Sequence, residues 1–186
     1  MIAIVRKFGL ACALLAGLAG CAAPPLPSTA APPSADDAYY VIALKPNTIN
    51  LDIFEGTVKD GVFSTGFKWV DHWYSSDDNG FLVVKARGGA TYGVVMIALT
   101  FSRGSIFGQS YTPNARTMVF DVPAGKVVYI TDVGFSPSTD RGRYPGPGLV
   151  PSYRQNFAAA QAYMREHYPL LAGKLEQGSF RFVPGT

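Results

Sequence analysis

The sequence predicts a mainly β protein: an antiparallel β-sandwich with one C-terminal α-helix. Three observations predict it. Short runs rich in β-branched and aromatic residues recur along the chain, bounded by Gly, Pro, Asn and Asp. No repeated alternation of strand and helix patterns supports a parallel sheet. One stretch near the C-terminus carries apolar residues at helical spacing. A single curved sheet wrapped on that helix is the alternative arrangement.

The chain opens with Arg6 and Lys7 ahead of an uncharged apolar run, 8–20. A basic start, a short apolar middle and small residues before a cut is the pattern of a secretory signal. The run is too short to cross a bilayer, which takes about 20 apolar residues. Its end, Leu18-Ala19-Gly20-Cys21, resembles the lipobox of bacterial lipoproteins. The resemblance implies a diacylglyceryl group on the Cys21 thiol, cleavage before Cys21 and frequent acylation of the new amino group. One acyl chain anchors marginally, whereas two or more anchor stably. In that family, an aspartate after the cysteine tends to retain the protein at the inner membrane. Here Ala22 follows. The resemblance therefore implies anchoring to the outer membrane, with the domain expected to face the periplasm.

Residues 1–20 form the expected signal peptide, 21–37 the lipidated cysteine and its tether, and 38–186 a single β-rich domain. Removing 20 of 186 residues leaves 166, one domain plus a tail. The chain has 16 basic and 13 acidic residues, and loss of Arg6 and Lys7 leaves 14 against 13. No basic cluster matches a nucleic-acid surface. Cys12 leaves with the signal and Cys21 is used for lipid, so stability must come from packing. With 48% hydrophobic residues in the chain, that is attainable.

The stretch 22–37 is rich in proline, alanine and small polar residues. Alone, such a sequence forms no core and extends toward polyproline geometry, reaching at most about 50 Å. It reads as a tether that lifts the domain off the membrane. Residues 39–44 read as a strand closed by Lys45-Pro46-Asn47. Residues 48–58 continue as a strand with Ile49, Leu51 and Ile53, and Lys59-Asp60-Gly61 turns it back into Val62-Phe63.

Residues 67–74 are dense in aromatics, and 75–80 follow as a polar turn. Residues 81–86 form a strand, and Arg87-Gly88-Gly89-Ala90 reads as a tight hairpin. The run 92–101 carries no charge, which suits a central strand buried on both faces. Residues 102–115 are loop-like. Residues 117–122 and 126–133 read as strands joined by Pro123-Ala124-Gly125, and 134–152 as a long irregular segment.

Tyr153, Phe157, Ala160, Met164 and Tyr168 fall at spacings of four, three, four and four, which predicts a helix. Ser152 is positioned to cap it and Pro169 to end it. Leu170, Leu171 and Leu175 read as a short further turn. Residues 178–183 read as a last strand at an edge.

The segment Phe120-Asp121-Val122-Pro123-Ala124-Gly125-Lys126-Val127-Val128-Tyr129-Ile130 resembles a hairpin in small bacterial lipoproteins of unknown function. These are thought to carry compact β-sandwich domains behind a lipobox. The resemblance covers this hairpin and the general plan. It implies no chemistry, so it transfers no catalytic residue.

Catalytic signals are weak. The two histidines, His72 and His167, share no metal-binding spacing. His167 falls in the last helical turn, where a cation is favoured by the helix dipole. Asp71 beside His72 suggests part of a triad, but no Gly-x-Ser-x-Gly elbow supplies a nucleophile. Asp77-Asp78-Asn79-Gly80 lacks the remaining ligands of a calcium loop and reads as a solvated turn.

No catalytic residue, metal or cofactor is therefore expected, and the protein is read as not an enzyme. Two groups are candidate contacts. Trp69, Trp73 and Tyr74 can stack on sugar rings or a partner, although such residues more often pack a core or its rim. Arg141, Arg143 and Tyr144 can meet carboxylate, phosphate or sugar from the 134–152 loop. The expected function is a membrane-anchored envelope lipoprotein, a noncatalytic binding or structural module. Its expected partners are the membrane, through Cys21, and a protein of the cell envelope. Glycan or small-ligand binding through the aromatic surface is one alternative, and a hydrolase with an unrecognised site is another.

Overall fold

A computed structural model describes residues 26–65, 73–100, 108–111, 116–137 and 149–185. The strands are β1 (Asp37–Lys45), β2 (Ile49–Lys59), β3 (Val62–Thr65), β4 (Trp73–Ser75), β5 (Phe81–Arg87) and β6 (Ala90–Thr100). They continue with β7 (Gly108–Tyr111), β8 (Thr117–Val122), β9 (Val127–Pro137) and β10 (Leu149–Arg154). Helices α1 (Phe157–His167) and α2 (Pro169–Ala172) follow, then β11 (Leu175–Gln177) and β12 (Arg181–Val183).

Two sheets face each other, as a β-sandwich requires. One has the order β10-β9-β1-β5, with β11 also on β9. The other has the order β12-β8-β6-β2-β3, with β4 on β2 and β7 on β6. Between them lie Tyr40, Ile42 and Leu44 of β1, Ile49, Leu51 and Ile53 of β2, and Tyr92, Val94 and Ile97 of β6. Met118, Phe120, Val128 and Ile130 belong to the same layer. The uncharged run at 92–101 supplies most of β6, which lies inside its sheet as expected.

β1 is buried from residue 38 to residue 44. Its even-numbered residues face the second sheet, while Tyr39, Val41 and Ala43 face α1. A helix layer is thus required: without Ala160, Tyr163, Met164 and Leu171, the odd-numbered face of β1 would meet water. Within the sandwich, β9 pairs in parallel with both β1 and β11.

Four local expectations are corrected. The turns at 87–90 and 123–125 are not hairpins. β5 and β9 belong to the helix-side sheet, β6 and β8 to the other, so both turns are corners that switch sheets. Gly88 lies against Ala124, where an added Cβ would come 2.6 Å from the Ala124 Cα. Gly88 N–H donates to Asp36 O and Gly89 N–H to Val122 O, each at 2.8 Å. The two corners therefore pack on each other. Local turn chemistry is the same for a hairpin and a corner, so the sequence could not separate them.

The helix starts later than its apolar spacing suggests. Residues 149–154 pair with β9, and Tyr153 packs at the inter-sheet core. Asn156, not Ser152, is the N-cap, with its side chain accepting from Ala159 N–H at 3.3 Å. Residues 134–137 and 149–152, read as irregular, lie on β9 and β10. Leu175 opens β11 rather than joining the turn of α2.

Residues 26–36 follow the surface of the domain. Ala30 is 7% exposed and packs in the layer between α1 and the sheet. Tyr39 OH donates to Ala31 O at 3.0 Å and Tyr168 OH to Leu26 O at 3.1 Å.

Candidate functional site

Two carboxylates, Asp77 and Asp132, each centre a polar cluster near the C-terminal end of β1. In one row across the sheet, Phe81 of β5, Ala43 of β1 and Asp132 of β9 are register partners. Neighbouring strands are about 4.8 Å apart, so Phe81 and Asp132 stand about 10 Å apart across the alanine. A polar cluster is built on each side of it.

On the β9 side, Asp132 is 9% exposed. Lys45 Nζ donates to its Oδ2 at 3.0 Å, and Tyr129 OH donates to its Oδ1 at 2.5 Å. Asn156 N–H donates to the Tyr129 oxygen at 2.9 Å. One phenol thus ties the start of α1 to the sheet. Burial, with the adjacent carboxylate, pushes the Tyr129 phenol well above its ordinary value. Lys45 has 51% of its side chain exposed, so its three-donor ammonium stays accessible to an anion in solution.

On the β5 side, Asp77 organises the crossing from β4 to β5. Its Oδ1 accepts from Asn79 N–H at 3.0 Å and Phe81 N–H at 2.9 Å. Its Oδ2 accepts from Tyr163 OH at 2.6 Å. The Tyr163 ring stacks on Phe81 with centroids 4.1 Å apart and lies 4.6 Å from the His167 ring. Burial first, and the Asp77 bond next, push the Tyr163 phenol far up. His167 Nε2 lies 3.3 Å from Asn79 Nδ2. The 77–80 turn is thus a joint between helix and sheet, built around one carboxylate.

The predicted aromatic group divides. Tyr74 packs at the inter-sheet core, where burial raises its phenol and a hydrogen bond joins it to Tyr40. Trp73, its neighbour on β4, lies on the opposite face of the sheet and is half-buried. The two rings cannot stack on one ligand. Trp69, Asp71, His72, Arg141, Arg143 and Tyr144 lie outside the described residues, as does Cys21.

A search among family models, curated proteins and solved structures finds no match. Among the described residues, no group of three or more His, Cys, Asp or Glu side chains is placed to hold a metal ion. No buried side-chain nitrogen or oxygen among them lacks a hydrogen-bond partner.

The sequence did not mark Lys45, Tyr129, Asp132 or Tyr163 as candidates. One signal was available. Asp132 interrupts an otherwise apolar strand, and a carboxylate there needs a partner. Its partner, Lys45, is 87 residues away in sequence, so spacing could not reveal it.

Proposed function

We propose that the protein is a lipid-anchored component of the bacterial cell envelope whose sandwich acts as a noncatalytic binding or structural module. The observation that carries the proposal is Leu18-Ala19-Gly20-Cys21 behind a basic and apolar leader. Cys21 carries the lipid, Ala22 directs the protein to the outer membrane, and the domain faces the periplasm. The noncatalytic reading is supported by how the acids are used. Asp77 and Asp132 spend their oxygens on N–H, phenol and ammonium donors, and through the Tyr163 and Tyr129 phenols they help hold α1 to its sheet.

The proposed contact with an envelope protein is the segment with Arg141, Arg143 and Tyr144, whose guanidiniums suit a carboxylate or phosphate on the partner. Two experiments test the proposal. Cys21→Ser should leave the precursor uncut and unlabelled by radioactive palmitate; unchanged labelling and processing rule out the anchor. Crosslinking in intact envelopes should capture a partner with the natural chain and lose it with Arg141→Ala/Arg143→Ala. Equal capture by both chains rules out that contact.

A further inference from the structure

We infer that the α2 end of the domain is held against the anchoring lipid surface, with Leu170 in the headgroup region. The inference rests on lipidation of Cys21 as proposed above, and adds an orientation that lipidation alone does not give. A free tether from 22 to 37 would let the domain present any face to the bilayer. The structure shortens that tether. Tyr168 OH bonds to Leu26 O, and Ala30 is buried beneath the helix layer.

Four residues, 22–25, then separate Cys21 from the docked chain. Fully extended, the five links from Cys21 to Leu26 span at most about 18 Å. A domain of this size is on the order of 40 Å across. The leash is therefore shorter than the domain, and only the end that carries Leu26 stays near the surface.

That end is marked chemically. Leu170 is 55% exposed and stands two residues from Tyr168, the side chain that holds Leu26. Lys174, also exposed, follows within the same turn region, where a cation suits anionic headgroups. The other exposed large apolar side chain among the described residues, Phe182 at 40%, belongs to β12 in the opposite sheet. A leucine beside lysine at the mouth of a lipid tether fits an interfacial contact, with apolar atoms below the headgroups and charge among them.

The test uses the acylated full chain in vesicles of phosphatidylethanolamine and phosphatidylglycerol. Processing removes Cys12 and the lipid blocks Cys21, so an introduced cysteine is the sole free thiol. An environment-sensitive dye is placed at Leu170→Cys or, as a control in the far sheet's β2–β3 turn, at Asp60→Cys. Headgroup-level nitroxide lipids should quench the dye at 170 roughly threefold more than at 60. A Gly/Ser insert of about 20 residues between Pro25 and Leu26 should abolish that difference.

Equal quenching at 170 and 60 in acylated protein overturns the orientation and leaves the anchor standing. A difference that survives the insert overturns the short leash as its cause. A mature mass lacking acyl chains overturns the anchor and this inference together.

Discussion

Gly93→Ala should destabilise the protein, and the loss should disappear when Phe63 is removed. Gly93 lies in β6 on the outer side of the second sheet, paired with Phe54 and Val119. The Phe63 ring rests directly on it. An added Cβ would stand 2.6 Å from Phe63 Cζ and 2.9 Å from Cδ1, and would meet Cε1 as well. Ordinary carbon contacts are about 3.5–4.0 Å, so the ring must retreat by about 1 Å. It has little room, being 2% exposed and enclosed with Val119 and Val183. Phe63 N–H also donates to Pro184 O at 2.8 Å, which clips the C-terminal segment over it. Overpacking of this kind costs about 1–3 kcal/mol. The backbone entropy that alanine saves in the unfolded chain offsets about 0.5–1 kcal/mol. A net loss of about 1–2 kcal/mol follows for the single variant. In a Phe63→Ala background the new methyl meets no ring, and the same change should be neutral or mildly stabilising. The double-mutant cycle, read by urea unfolding at constant m-value, should give a coupling of about 1–3 kcal/mol. Equal effects of Gly93→Ala in both backgrounds would refute the packing of the Phe63 ring across Gly93.

Other perturbations read the helix layer. Tyr129→Phe deprives Asn156 N–H of its acceptor and Asp132 of a donor, and should cost about 1–3 kcal/mol in urea unfolding. Asn156→Ala removes the N-cap and should cost about 1 kcal/mol. In alkali, Tyr40, Tyr129 and Tyr163 have folded values raised above the ordinary tyrosine value, chiefly by burial. Above about pH 10 only the unfolded chain releases these protons, so stability is complete below that pH and falls as pH rises. Tyrosinate absorbance should appear together with loss of far-ultraviolet circular dichroism; gradual ionisation near pH 10 with structure intact would contradict it. A mature chain started at residue 37 should be about 2–4 kcal/mol less stable than one started at 22, because it loses the Ala30 contact and the carbonyls of Leu26, Ala31 and Asp36. Equal unfolding midpoints would mean that 26–36 is only a leash.

Elements were more legible than their connections. Residues 39–44, 81–86, 117–122 and 127–133 all lie on strands, because β-branched and aromatic runs fit a half-buried pleated surface whichever sheet they join. Which sheet each joins was not legible. Val122-Pro123-Ala124-Gly125 and Arg87-Gly88-Gly89-Ala90 have turn chemistry, and turn chemistry sets local φ and ψ rather than the partner of the next strand. Tyr153 misled for a related reason: it falls on the helical stripe by spacing, yet its backbone is satisfied by β9 and its ring by the inter-sheet core. The candidate site was hidden by sequence distance. Lys45 meets Asp132, and Asp77 meets Tyr163, only after β1, β5 and β9 are aligned.

The tether illustrates how composition can be right about a segment's intrinsic tendency and incomplete about its place. A stretch such as 26–36 has no apolar pattern able to fold alone, and in isolation it would extend. β1 changes that. The face of β1 beside α1 is completed by Ala30, whose small side chain packs in that layer where the chain turns from Pro27 to Ala30. Tyr39 and Tyr168 then supply phenol donors to carbonyls that have no strand partner. The same residues that complete the core thus set how far the domain stands from Cys21. Under the proposed lipidation, a substitution that loosens this seam, such as Ala30→Glu, would lengthen the leash as well as weaken the fold, coupling the stability of the sandwich to its orientation on the membrane.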